Sequence, residues 1–305
     1  MSEIIEDKLI SLKKIGNESL GGGIKVYITK EKSNIPWLDY YNEISASYDN
    51  YNHLTFELQN QNEREVRSYV VDKLDIKENE SILEIGCGTG RDSELILERL
   101  SKGNKYYLLD GSEAMLKVCY DKIKSTNKDV IKKFVISDMD NLPFKDNSFD
   151  KVFSFVSINA SKDMYKVIAE IVRVSKPGGL VLIGNEGVLP NLQNIEFGQK
   201  MINNSSLYGN VLDISLLPDC VHKLKLEWIL NDIIYLLSFN VLKEERKTKF
   251  DMVIPGERGG SINSRFYGKL EGVSLETKLK FIEFSKKSSK SRKELLEEII
   301  LKALK

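Results

Sequence analysis

The sequence predicts an α/β fold built on a mostly parallel sheet, and three observations carry that prediction. Between residues 79 and 187, short apolar runs alternate with amphipathic stretches of helical length, the pattern of βαβ units. The first run, SILEI at 81–85, leads through three glycines at alternate positions, Gly86, Gly88 and Gly90, into a helical pattern. The next run, KYYLLD, ends on an acid, Asp110, twenty residues beyond Gly90.

Taken in order, residues 1–78 are polar and aromatic, with PWLDYYNEISASYDNYNHL at 36–54 followed by a helix through Leu74. In the middle region, SILEI precedes a helix from about Asp92, and KYYLLD one from Ser112. The strand KKFVIS follows, then DKVFSFVSI with a helix over 162–174, then GLVLIG. KPGG at 176–179 has the Pro-Gly order of a type II turn into that last strand. Residues 188–305 are less regular. They predict a helix ending in LEWILNDIIYLLSF, two strands (KTKFDMVI and SRFYGKLEGV) and a charged helical tail.

Composition narrows the function. The chain has 305 residues, enough for a sizeable core. Lys+Arg and Asp+Glu both number 45, so no charge excess points to nucleic acid or an acidic membrane. Three cysteines, Cys87, Cys119 and Cys220, lack CxxC spacing, so neither a disulfide framework nor a metal site is expected. The N-terminus carries acids where a signal peptide needs a basic start. The most apolar window, Trp228 to Leu242, is too short and polar to span a bilayer. A soluble, cytoplasmic protein is expected.

The glycines constrain the ligand. In a doubly wound sheet, ligands bind beyond the carboxyl ends of the strands, where this loop sits. A dinucleotide fingerprint reads G-x-G-x-x-G, and the position of its third glycine is Arg91 here. Glu84, two residues before the first glycine, is a poor neighbour for pyrophosphate and a good one for an ammonium group. The loop therefore favours a nucleoside carrying an amino acid. Asp110 reads as an acceptor for two ribose hydroxyls, or else as a helix cap. Met115 reads as a cover on an adenine face or as core.

Residues 79–185 resemble a class I S-adenosylmethionine-dependent methyltransferase of the ubiquinone/menaquinone-biosynthesis-like type. The resemblance lies in ILEIGCGTG, LLDGSEAML, SDMDNLPFKDNSFDKVFS and IVRVSKPGGLVLI, in that order, preceded by ISASYDNYN at 44–52. It implies a Rossmann-like seven-stranded, mostly parallel sheet with helices on both faces, an N-terminal helical lid and a C-terminal extension. It divides the chain into a lid segment (1–78), a cofactor core (79–187) and an acceptor-side region (188–305) that completes the sheet. The cofactor implied is S-adenosyl-L-methionine, leaving as S-adenosyl-L-homocysteine. By position, Gly86, Gly88 and Gly90 would shape the loop around its methionine part, and Glu84 would support its amino group. Asp110 would bind the ribose, with Asp138 and the Met139 backbone at the adenine. Phe155 and Val156 would lie near the sulfonium, and Tyr48 would close over the methionine end.

The resemblance leaves the catalytic base open. Methyl transfer from a sulfonium needs alignment above all, and a base only where the acceptor must lose a proton. The two histidines, His53 and His222, are the candidates, each also readable as an ordinary surface or core residue. Where many relatives carry a histidine after the fourth strand, this chain reads SFVSINAS. Trp37, Tyr40, Tyr41, Tyr48, Tyr51 and Phe56 suit an aromatic lid or a satellite core. The acceptor expected is a small molecule, with no nucleic acid; the basic-led tail reads as a solvated helix or a homodimer contact. The rival readings are a methyltransferase of peptides or macromolecules, a nicotinamide-dependent oxidoreductase and a non-catalytic cofactor binder.

Arg258 and Arg265, in IPGERGGSINSRFYGKLEGV, read as a grip on an acceptor carboxylate or as part of an irregular hairpin. Replacing either with Lys keeps the charge and removes the planar fork. An acceptor role predicts a fall in kcat/KM with unchanged melting temperature. A lowered melting temperature with normal kinetics would place the acceptor site elsewhere.

Overall fold

The computed structural model describes residues 9–13, 26–29, 38–127, 129–243, 253, 261–262 and 273–304. The chain divides into two compact units, Met1–Glu244 and Glu245–Lys305.

In the first unit, the N-terminal segment contributes strands β1 (Leu9–Lys13) and β2 (Val26–Thr29), then helices α1 (Leu38–Ile44), α2 (Asp49–Asn52), α3 (Leu54–Glu57) and α4 (Glu63–Asp72). The alternating region follows as β3 (Ser81–Ile85), α5 (Arg91–Arg99), β4 (Lys105–Asp110), α6 (Glu113–Ile123), β5 (Ile131–Ile136), β6 (Phe149–Phe155), α7 (Met164–Val174) and β7 (Ser175–Glu186). Helix α8 (Glu196–Asn204) and strands β8 (Val221–Ile229) and β9 (Ile234–Val241) complete the unit. The strands form one sheet in the order β1-β2-β5-β4-β3-β6-β7-β9-β8. The stretch from β5 to β8 is the seven-stranded sheet expected. It is parallel except for β9, which runs antiparallel to both β7 and β8. Beyond it, β2 pairs parallel to β5 and β1 antiparallel to β2, so the N-terminal segment extends the sheet as well as supplying helices.

Strand alternation sorts the core into two layers. Ile82, Tyr106, Leu108 and Phe153 face α4, α5 and α6, meeting Val70, Val71, Ile96 and Leu116. Leu83, Tyr107, Val152 and Val181 face the other way, against Val167, Ile168 and Ile171 of α7. There the rings of Tyr107, Phe144 and Phe149 pack edge-to-face at 4.9–5.8 Å. Burying each contributes about 1.5–3 kcal/mol.

One element departs from expectation. The helix ending in LEWILNDIIYLLSF is instead the β8–β9 hairpin. Leu230, Asn231 and Asp232 at its turn have φ of 53°, 52° and 64°, outside any right-handed helix. The tyrosine and β-branched residues after the turn suit pairing with β7. The apolar stretches on either side of Asn231 and Asp232 carry no period that separates a buried strand from a buried helix, and the turn at those residues decided between them.

The second unit contains helices α9 (Leu275–Lys286) and α10 (Arg292–Ala303), where a charged helical tail was expected. Ser291 starts α10 in a reciprocal capping box with Glu294. The two expected strands of this region fall mostly outside the described residues, within which Val253 and Ser261 form an isolated bridge. Among the described residues no helix is long and apolar enough to cross a membrane.

Candidate functional site

The chain runs outward from β3 through β4 to β5, then returns to the other side of β3 as β6. That reversal opens a crevice between the ends of β3 and β6. The loop after β3 folds over the end of β4. The N–H groups of Gly86 and Cys87 donate to the Leu109 carbonyl at 2.8 and 3.1 Å. Gly88 N–H donates to Asp110 Oδ2 at 2.8 Å, and Ser112 N–H to Asp110 Oδ1 at 2.8 Å. Ser112, not Asp110, caps α6, its hydroxyl accepting from Met115 N–H at 3.1 Å.

Two of the three glycines are required by close approach of the chain to itself. Gly86 has φ 70°, and a Cβ there would collide with the Ser157 side chain after β6. Gly90 has φ 84°, and its Cβ would lie 2.8 Å from Cys119 Sγ on α6. Gly88 differs: nothing lies within 4 Å of its Cβ position, and it borders a cavity.

The cavity has two lobes. The larger encloses about 640 Å³ counting its open mouth. Tyr41 and Tyr48 wall it on one side, with Asp110, Met115, Met139, Val156 and Ser157 on the others. The smaller shares Tyr48, Gly86, Gly88 and Val156 and adds Arg67, Arg91, Asp92 and Phe155. Val156 has φ 55°, rare for a β-branched residue and a cost of roughly 1–3 kcal/mol. Its N–H donates to the Gly184 carbonyl at 2.6 Å, which holds the turn in place. The N-terminal segment is pinned over the loop. Asp49 accepts from Thr89 Oγ1 at 2.5 Å and from Lys122 at 2.7 Å, and Asn42 accepts from the Ser112 hydroxyl at 2.7 Å.

The smaller lobe is ionic. Arg67, 7% exposed, donates to Glu63 at 2.7 Å and to Asp92 Oδ2 at 2.6 Å. Its guanidinium also lies 5.3 Å from the Phe155 ring centroid. Glu63 pairs with Arg91 as well. Two atoms of this network are buried without a hydrogen-bond partner: Arg91 Nη1, a donor, and Asp92 Oδ1, an acceptor. Burial pushes the Asp92 carboxyl up against the pull of Arg67. Burial also raises Asp110, against the backbone N–H groups it accepts.

The expected site residues divide clearly. Tyr48, Gly86, Gly88, Asp110, Met115 and Met139 line the larger lobe, and Phe155 the smaller. Gly90 stands behind the loop, and Asp138 is half-buried next to Met139 without lining the cavity. Glu84, expected at an ammonium group, lies beneath the loop: strand alternation turns it with Ile82 toward α5. There Glu84, 2% exposed, accepts from Ser93 at 2.6 Å and from the Tyr106 hydroxyl. Neither histidine reaches the cavity. His53 sits between α2 and α3 with Nε2 3.8 Å from Glu57, and His222 is exposed on the edge strand β8. Of the lid aromatics, Tyr41 and Tyr48 face the cavity, Phe56 is core, and Tyr40 and Tyr51 are exposed. Trp37, Arg258 and Arg265 lie outside the described residues. Arg67 and Asp92 were not expected; their pairing joins two helices 25 residues apart in sequence and leaves no local pattern.

Residues 83–183 match the protein family described as a methyltransferase domain. The chain is 30% identical over 167 residues to a ubiquinone/menaquinone biosynthesis C-methyltransferase of Idiomarina loihiensis, covering 54% of this chain and 64% of that protein. It is 28% identical over 205 residues to a malonyl-[acyl-carrier protein] O-methyltransferase of Buchnera aphidicola, covering 67% and 74%. The chain thus spans just under two thirds of the first of these relatives. A phosphoethanolamine N-methyltransferase 2 of Haemonchus contortus, solved with S-adenosyl-L-methionine, shares the fold with a TM-score of 0.52. It is 19% identical, over 72% of this chain and 62% of that one.

The position of Glu84 has a measurable consequence. Burial, and then the nearby Asp92, push its carboxyl from 4.5 up to about 8. The folded protein therefore keeps a proton that the unfolded chain has released. Stability from this group is fully present below the unfolded value and declines as pH rises toward about 8. Glu84→Gln, which mimics the neutral acid toward Ser93 and Tyr106, is expected to flatten the pH dependence of denaturant unfolding across that window. An unchanged slope would show that Glu84 is ionised in the folded state.

Proposed function

We propose that this chain, whose residues 83–183 form a class I S-adenosylmethionine-dependent methyltransferase domain, transfers a methyl group from that cofactor to a small-molecule acceptor. The observation that carries this reading is the orphan pair beside the loop. Arg91 Nη1, 4.0 Å from Asp49 Oδ1, has no hydrogen-bond acceptor and Asp92 Oδ1 has no hydrogen-bond donor, and the amino-acid end of the cofactor offers a carboxylate and an ammonium group. Buried polar atoms are costly until such partners arrive. The loop N–H groups argue the same way. Those of Gly86, Cys87, Gly88 and Gly90 are bonded inward, against the pyrophosphate that a nicotinamide cofactor would place there.

The other residues fit in sequence around the cavity. Asp110 has a lone pair left for a ribose hydroxyl beyond those used by the N–H groups of Gly88, Gly111 and Ser112. Met115 and Met139 offer apolar cover to the adenine, with Asp138 adjacent. Phe155, Val156 and Tyr48 border the junction of the lobes, where the methyl-bearing end belongs. The bound cofactor supplies an electrophilic methyl on a sulfonium, whose departure as a neutral thioether needs no acid. The protein's contribution is alignment, about 7–11 kcal/mol at most, and exclusion of water by Tyr41 and Tyr48.

In this reading the helices α1 to α3 of the N-terminal segment form the lid, 79–187 the cofactor core, and residues 188–244 of the first unit the acceptor side. The ubiquinone/menaquinone biosynthesis C-methyltransferase among the relatives supports a small-molecule acceptor, whereas the malonyl-[acyl-carrier protein] O-methyltransferase is named for a small group carried on a protein. The balance of Lys+Arg against Asp+Glu, 45 of each, argues against a nucleic-acid partner.

Thermal-shift titration tests the reading, because a ligand that binds only the folded state raises its stability. S-adenosylhomocysteine is expected to raise the melting temperature and NAD to leave it unchanged; the opposite result would overturn the proposal. Asp110→Asn, which keeps the shape and removes the charge, is expected to weaken S-adenosylhomocysteine binding roughly ten- to a hundredfold by calorimetry. Unchanged affinity would limit Asp110 to holding the loop.

A further inference from the structure

One carboxylate, bonded to the turn that walls the cavity though not itself lining either lobe, is used neither by the loop nor by the ionic network. Glu186 is the last residue of β7. The strand alternation places it on the same face as Gly184, whose carbonyl accepts from Val156 N–H and whose Cα lies against the Phe155 ring. Glu186 thus stands two residues beyond the point where β7 touches the junction of the lobes. Its Oε2 accepts from the side-chain amide of Asn159, a buried residue in the short turn after β6. That turn also lends Ser157 and Ala160 to the cavity wall.

We propose that Glu186 is the general base of the methyl transfer, held by Asn159 and serving an acceptor that attacks through a hydroxyl group. The inference rests on the methyltransferase reading above. In the step, the Glu186 carboxylate takes the hydroxyl proton. The electron pair so freed forms the new bond to the methyl carbon, directly or through a conjugated ring carbon, whose proton then passes through water to the ring oxygen and restores the hydroxyl. The carbon–sulfur pair returns to sulfur. Glu186 is left neutral and gives its proton to solvent when the products leave.

The surroundings suit that work. Glu186 is half-buried, and burial pushes its carboxyl up against the Asn159 amide and, more distantly, Arg67. A base raised toward the working pH takes a proton more effectively than an ordinary carboxylate. The groups facing it are Tyr41 of α1, Tyr48 before α2, Tyr208 after α8 and Tyr235 of β9, with Arg67 of α4. Burial first, and then Glu186, hold the Tyr208 hydroxyl up at about 12. Burial, with Tyr48 and Glu186, raises Tyr41 beyond its ordinary range. These phenols stay protonated at neutral pH and do not compete for the proton, while Tyr41 and Tyr48 offer ring faces to a flat acceptor.

The test compares the wild type with Glu186→Gln and Glu186→Asp, using 4-nitrocatechol as the acceptor probe because its absorbance reports loss of its proton. Calorimetry with S-adenosylhomocysteine comes first. Equal affinity in all three proteins is expected, and no binding by the wild type would bring down the cofactor reading itself. In the saturated proteins, the wild type is expected to bind the probe with the spectral change of deprotonation, and Glu186→Gln to lose that change. With S-adenosylmethionine, kcat on the probe should fall roughly a hundredfold or more in Glu186→Gln. Glu186→Asp should keep part of the rate with a displaced pH profile. Normal S-adenosylhomocysteine binding overturns the Glu186 proposal alone if the wild type ignores the probe, or if Glu186→Gln matches the wild type in spectrum and rate.

Discussion

The Asp110 carboxylate joins two pieces of chain that would otherwise be independent. One oxygen holds Gly88 in the loop after β3 and the other holds Ser112 at the start of α6. The same strand end supplies the Leu109 carbonyl that receives Gly86 and Cys87. The loop therefore cannot move without the end of β4, and α6 begins where that clasp places it. Both lobes of the cavity inherit their floor from this arrangement. Asp110 is at once part of the wall and what keeps the wall in place, so ligand affinity and loop geometry are coupled through a single side chain.

A second constraint comes from above. Asp49 reaches from the N-terminal segment to Thr89 in the loop and Lys122 on α6, and Arg67 on α4 reaches Asp92 on α5. A buried ionic network of this kind is weak as a source of stability, because desolvation offsets most of the attraction. Its value is positional. Glu63, Arg67, Arg91 and Asp92 fix one another at the mouth of the smaller lobe and leave one donor and one acceptor unspent.

How far the sequence reached depends on the range of the interactions. The loop and its strand ends were legible because glycine spacing, a strand-terminal acid and two-residue alternation are local signals. Alternation also contained the true direction of Glu84, which shares a face with Ile82, but charge complementarity pointed the other way. The β8–β9 hairpin was missed because its two apolar halves have no period to read, and Asn231 and Asp232 between them are the only local sign of the turn. Arg67 and Asp92, or Glu186 and Asn159, meet only after the sheet has formed; nothing in their immediate neighbours marks them. The histidines drew notice by residue type alone, and type without position carried no information about the cavity.

The electrostatics of the site follow from how it is built. Glu84, Asp92, Asp110 and Glu186 are all pushed up by burial, and Asp92 raises Glu84 further. Arg67, the buried cation among them, is already shared between Glu63 and Asp92. Glu84 lies beneath the loop, so Asp92, Asp110 and Glu186 are the raised carboxyls near the cavity, with Arg67 and Arg91 as the cations beside them. A ligand bearing both a sulfonium and an ammonium charge would draw these carboxyls down, so its binding and the release of protons are linked. Methyl transfer removes the sulfonium charge and returns a neutral thioether. The attraction that favoured the incoming cofactor is then weakened, and the acids rise again. Under the proposed function, carboxyls at the cavity would favour cofactor over product through a charge that only the cofactor carries.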